Sequence, residues 1–142
     1  MIELIFVIVI LGVLAAVAIP KLSATRDDAK VSTLAHSITA SSGEVVSYAL
    51  AQQNVDGNIT NMSNILERLV TTSDARLSAP NIVEFKMGTT NDCITMQTVT
   101  AGQDVNLTIS FSVAGDVLCN KLQSILNLSN YSIPLKGETL EY

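Results

Sequence analysis

From Leu4 to Ile19 the chain runs through 16 consecutive residues without a charged or polar side chain, LIFVIVILGVLAAVAI. As a helix this run is about 24 Å long at ~1.5 Å per residue. That is a little short of the ~30 Å hydrocarbon core of a bilayer, and Met1 and Ile2 extend it past one acid, Glu3. The twelve Leu, Ile, Val and Phe residues of the run favour insertion by roughly 4–7 kcal/mol, at about 0.3–0.6 kcal/mol each. An acid at the helix centre would cost about 3 kcal/mol on the same kind of scale, and Glu3 is terminal. The run is apolar round its whole circumference. It therefore predicts burial on every side, in lipid or in a bundle of its own copies. A signal peptide predicts a basic flank and a small-residue cleavage site. Here the flank carries Glu3, and Ile19-Pro20-Lys21-Leu22 offers no such site.

The string IELIFVIVILGVLAAVAIPKL, residues 2 to 22, resembles the mature N-terminus of a type IV pilin: an acid, an apolar run, and Gly12 and Pro20 in the family's places. The resemblance implies an α+β fold, with a long N-terminal α-helix packed on a small antiparallel β-sheet. It also implies subunit assembly through Glu3, Gly12 and Pro20. The Glu3 carboxylate would neutralise the N-terminal amine of a neighbouring or the same subunit in an apolar core, where an unmatched charge costs several kcal/mol. The segment between Gly12 and Pro20 would unwind in the filament. From the residues alone these are two helix-weak positions, Gly by ~1 kcal/mol relative to Ala and Pro through its missing donor. In the family two residues precede the position of Met1, an N-methylated Phe and a small polar residue, behind a basic leader ending in Gly. Methylation is thus assigned to no residue of this sequence.

The resemblance implies a major structural subunit of a type IV pilus, serving motility, adhesion or DNA uptake. It places the chain in the bacterial inner membrane before assembly and in an extracellular pilus afterwards. The implied partners are other copies of the chain, the inner-membrane assembly machinery and the membrane itself. The alternative is a major pseudopilin of a type II secretion system. Pseudopilins more often order their C-terminal loop with calcium, and no convincing calcium loop occurs here. A monomeric membrane-anchored binding domain is the rival class, and it would tolerate loss of Glu3.

The sequence of 142 residues divides into residues 1–22, the hydrophobic membrane or filament-core helix, and residues 23–142, a globular domain. Removing the first 22 leaves 120, enough for one modest core. Net charge is −5. With no basic cluster to neutralise phosphates, direct nucleic-acid binding is not expected. Two cysteines, Cys93 and Cys119, predict a disulfide in an exported protein, worth about 3–4 kcal/mol by chain entropy. In the pilin family such a bond commonly fences a C-terminal surface region.

Within the domain, residues 23–53 carry a helical stripe at Val31, Leu34, Ile38, Val45 and Ala49, widened by Leu22, Val46 and Leu50. With the apolar run it predicts one helix of about 80 Å. Arg26, Asp27, Asp28 and Lys30 read equally as an intersubunit charge layer or a solvated face. His36 lies off the stripe. Residues 54–80 read as a linker, a short helix from Ser63 to Val70, and a loop with a helical turn at Asp74 to Leu77. Residues 81–142 read as sheet and C-terminal region, with strands over Ile82–Met87, Cys93–Thr100 and Val105–Val113. A short helix follows, capped by Asp116, with Val117, Leu118, Leu122, Ile125 and Leu126 as its apolar face. Tyr131 to Leu135 predicts a last strand, confined to an edge by Pro134.

No catalytic arrangement stands out. There is one histidine and no Cys-x-x-Cys, glycine-rich phosphate loop or cluster of carboxylates at metal spacing. An enzyme, a cofactor and a bound metal are not expected. Asn-x-Ser/Thr occurs at Asn58, Asn61, Asn106, Asn127 and Asn130. Asn58 and Asn106 also have an acid two residues earlier, in Asp56-Gly-Asn58-Ile-Thr60 and Asp104-Val-Asn106-Leu-Thr108. This resembles the extended acceptor pattern of some bacterial oligosaccharyltransferases, and makes both asparagines candidate N-glycosylation sites.

Overall fold

The computed structural model describes residues 2–112, 115–127 and 131–136. Met1, Val113 at the expected end of a strand, the Asn130 sequon and the acidic segment from residue 137 onward lie outside the described residues. The first element, α1, runs unbroken over Ile2–Gln52, 51 residues, or about 76 Å. It passes through Gly12 and Pro20 without losing helical assignment. Its second half holds many Ser and Thr residues, which intrinsically compete with the helix. Here several hydroxyls turn back onto the helix's own carbonyls, Thr33 onto Ala29 and Ser41 onto Ile38 among them, at 2.8 and 2.9 Å.

A 3-10 turn, η1 (Ile59–Met62), and helix α2 (Asn64–Thr71) follow. Turn η1 falls in the span expected to be a linker. Ser63 caps α2 by accepting from the Leu66 N–H. Helix α2 closes in a Schellman motif, with Ser73 at φ 65° and the Asp74 and Ser73 amides donating to Leu69 and Val70. That exit turns the chain straight into strand β1 (Ala75–Ala79). The helical turn expected at Asp74 to Leu77 is therefore incorrect. The left-handed residue at 73 ends the helix, and Ala75 to Leu77 pair with Val83 to Phe85 instead.

Strands β2 (Ile82–Met87), β3 (Thr90–Ala101), β4 (Asp104–Phe111) and β5 (Tyr131–Lys136) complete an antiparallel sheet in the order β1-β2-β3-β4-β5. The protein is thus α+β, a long N-terminal helix on an antiparallel sheet. Two-residue turns at Gly88-Thr89 and Gly102-Gln103 use a glycine at positive φ. Pro134 sits on β5, an outer strand, opposite Asn106. Helix α3 (Val117–Leu126) lies between β4 and β5 in sequence.

The core forms where one stripe of α1 meets the sheet. Val31, Leu34, Ala35, Ile38, Ser41, Val45 and Ala49 are buried on α1. Val83, Phe85 and Met87 of β2 meet them from alternate positions, joined by Ile94 and Met96 of β3 and Leu107 and Ile109 of β4. Two stripe assignments are corrected: Leu22 and Leu50 are 70% and 65% exposed. Leu22 precedes the packed part of the helix, and Leu50 follows the inward Ala49 by ~100° of rotation, which turns it outward. The inward face of α3 is also narrower than expected. Cys119 and Leu122 are buried, whereas Val117 and Ile125 point to solvent.

Candidate assembly site

Among the described residues, none of the domain covers the apolar half of α1. The helix contains an 18-residue window of mean hydropathy 3.1, of which 0% is buried, long and apolar enough to cross a membrane. Large side chains from Ile2 to Leu22 are exposed, from 43% at Ile10 to 79% at Ile2. This far exceeds the few hundred Å² of contiguous apolar surface that a soluble monomer tolerates. At ~25 cal/mol per Å², lipid or other copies of the helix gain far more from covering it than any single surface contact supplies.

Glu3 lies in the first turn of α1, exposed, where a carboxylate favours the helix N-terminus. Gly12 follows at about 14 Å along the axis and Pro20 about 12 Å further. A Cβ added at Gly12 would meet nothing within 4 Å. The three residues are strung along different faces of a rod and are not gathered into a pocket. What they share is access to a neighbouring molecule.

At the junction of rod and domain, Asp28 on α1 forms an ion pair with Lys121 on α3. Both side chains are largely exposed, so the pair contributes at most ~1 kcal/mol. It takes one member of the Arg26, Asp27, Asp28 and Lys30 cluster, read equally as a charge layer or a solvated face, into a contact within the subunit. Beside it an open groove of about 530 Å³ is lined by Lys30, Leu34, Leu69, Asp74, Lys86 and Met87. His36 is exposed. Among the described residues no three His, Cys, Asp or Glu side chains are grouped to hold a metal ion.

The sheet and α3 are tied at three points. Cys93 and Cys119 form a disulfide with Cα atoms 5.6 Å apart, both sulfurs' residues fully buried. Gln123 donates through Nε2 to the carbonyls of Cys93 and Ser112, each at 2.9 Å. Asp116 caps α3 by accepting from the Leu118 and Cys119 amides, and its other oxygen takes the Thr89 N–H and hydroxyl at 3.1 and 2.9 Å. The Thr89 backbone N–H foremost, then its hydroxyl and the Cys119 amide, hold the Asp116 carboxyl below the usual aspartate range. Gly88 stands against this carboxylate: a Cβ there would clash with Asp116 Oδ1.

Sequence reasoning missed two of these contacts. The Gly88–Asp116 approach joins residues with no shared motif. Likewise Glu44, in the middle of α1, accepts from the Ser63 hydroxyl at 2.6 Å and the Ile65 amide at 3.2 Å, and so helps to cap α2 from another element. Such long-range caps leave no periodic trace in a sequence.

The two acid-preceded sequons fall in unlike places. Asn58 lies half-buried in the connection between α1 and η1. Asn106 lies inside β4, opposite Val99 of β3 and Pro134 of β5. Of the others, Asn61 is exposed on η1, and Asn127 is the left-handed C-cap of α3.

In comparisons with known proteins the chain matches no family model, no curated protein and no solved structure. Its architecture, a long apolar N-terminal helix packed on an antiparallel sheet with a buried disulfide, is consistent with a pilin-like fold.

Proposed function

We propose that this chain is the major structural subunit of a type IV pilus, polymerising through its N-terminal helix into an extracellular filament for motility, adhesion or DNA uptake. The observation that carries the reading is the apolar rod of residues 2 to 22, wholly unburied in the subunit yet continuous with the helix that forms the domain's core. In the membrane, lipid covers the rod. In the filament, copies of the same rod cover one another. Contacts of this kind are heterologous and do not close, so they propagate into a fibre. Glu3 sets the register by meeting the N-terminal amine of a neighbour, because a misplaced pair leaves a charge uncompensated in an apolar core. Gly12 and Pro20 let the helix adjust as it moves from lipid to filament.

Cell fractionation tests this. The wild-type chain should divide between the inner membrane and a sheared, sedimentable surface fraction. Glu3→Ala should stay in the membrane, with the sheared fraction reduced at least tenfold. Equal shearing of Glu3→Ala would remove the role given to Glu3. A chain never found in the sheared fraction would point to the pseudopilin alternative, with secretion in a deletion strain as its check.

A further inference from the structure

We propose that Asn58 is a covalent attachment site for a saccharide, and that among the acid-preceded sequons Asn58, rather than Asn106, is modified on the folded protein. Asn58 already has extended backbone, φ −116° and ψ 114°. It is the N-cap of η1 and pairs with no strand; its carbonyl accepts from the Asn61 amide at 3.1 Å, and the Ile59 N–H to Pro80 carbonyl bond anchors the residue after it. Its carboxamide oxygen accepts from the Thr60 amide at 3.1 Å and the Thr60 hydroxyl at 2.8 Å. Both donors polarise the carboxamide from the oxygen side. The Nδ2 atom donates no hydrogen bond among the described residues and is left to react. The acid of the motif is held in place as well, for Asp56 Oδ1 accepts from the Asn58 amide at 2.7 Å and from the Asn61 side chain at 3.2 Å.

Asn106 offers the same five-residue pattern without the same access. It lies within an eight-residue strand, between β3 and β5. Drawing its backbone into a transferase would unpair both neighbours. The Asn61 sequon is weakened differently: its Ser63 hydroxyl is buried and committed to Glu44 and the Leu66 amide.

The co-reactant is a saccharide carried on a lipid diphosphate. Asn58 Nδ2 forms a bond to the anomeric carbon, and the bond from that carbon to the diphosphate oxygen breaks. The lipid diphosphate leaves with the electron pair, and one Nδ2 proton passes to a base of the transferase. No electrons change hands, and no oxidant is required.

The test is the mass of the full-length protein isolated from the cells that make it, followed by tryptic mapping. The expected result is a mass above that of the polypeptide, carried on the peptide Val31 to Arg68. Asn58→Gln and Thr60→Val should each abolish the added mass, while Thr60→Ser, which keeps the hydroxyl, and Asn106→Gln should retain it. Circular dichroism of each variant separates loss of the acceptor from loss of the fold. An unmodified Val31 to Arg68 peptide, or an adduct that survives Asn58→Gln in folded protein, overturns the proposal.

Discussion

The two halves of α1 share a backbone conformation and almost nothing else. Residues 4 to 19 are apolar on every face and have no buried side chain, whereas residues 31 to 49 bury one stripe, Ser41 included, and leave most of their other Ser and Thr side chains outside. Helix formation therefore distinguishes nothing here; the difference is in what each half is built to touch. The second half has its partner within the chain, in Phe85, Val83 and Met96 of the sheet. The first half is buried by none of the described residues, and under the proposed function its partner comes from outside. A single 51-residue helix thus joins a surface packed in the domain core to one left exposed.

The sharpest way to break this comparison is to truncate matched side chains. Phe85→Ala removes the largest fully buried side chain and should cost about 3–5 kcal/mol. Ile8→Ala, in the exposed rod, should change domain stability by less than about 0.5 kcal/mol. Urea unfolding of the full chain in detergent, followed by near-ultraviolet signals from the domain, reads both. A comparable loss in Ile8→Ala would mean that the rod is part of the domain's core.

Replacing Cys93 and Cys119 together by Ser should lower stability by about 3–4 kcal/mol on chain-entropy grounds, visible as a lower thermal midpoint, with the helicity of the rod unchanged. The effect belongs wholly to the domain half, because the bond joins β3 to α3. Ser63→Ala should cost about 0.5–2 kcal/mol as a lost N-cap, and it also removes the hydroxyl donor to Glu44. A midpoint unchanged by Ser63→Ala would show that Glu44 caps α2 unaided.

The smallest effect concerns acid. The folded-state pKa of Asp116 lies below its unfolded value, so its contribution is fully present above the unfolded value, near about pH 4. It is lost as pH falls from there through the folded value. Asp116→Asn keeps a capping oxygen but cannot titrate. Thermal midpoints measured from pH 6 down to pH 2.5 should fall less steeply in that variant, and parallel curves would contradict the assignment. Glu84, held low chiefly by its hydrogen bond from Arg76 across the β1–β2 pair, adds a second acid-sensitive contact that Asp116→Asn leaves intact.

Much of this division was legible in the residues. The break after Gln53, the limits of β2, the Asp116 cap and the edge position of Pro134 all follow from local chemistry: a turn cluster, strict alternation, a side-chain acceptor and a missing donor. Strand β1 was not legible, because Ala-Arg-Leu-Ser-Ala has weak strand propensity and the deciding event is the left-handed Ser73. The exposed Val117 and Ile125 were also misread. Their helix is oriented by the disulfide and by Gln123, contacts from distant segments that no periodicity encodes. The rod was the opposite case. Its sixteen-residue run was visible at once, but a sequence carries no partner, and the roles proposed for Glu3, Gly12 and Pro20 depend on one.

Immuno-electron microscopy of whole cells, with antibody raised against the domain, tests the central claim most directly. Long surface filaments labelled uniformly along their length are the predicted result, since every subunit would present its domain outside a core of packed rods. Unlabelled filaments, or label confined to the cell envelope, would contradict an assembly role for the exposed half of α1.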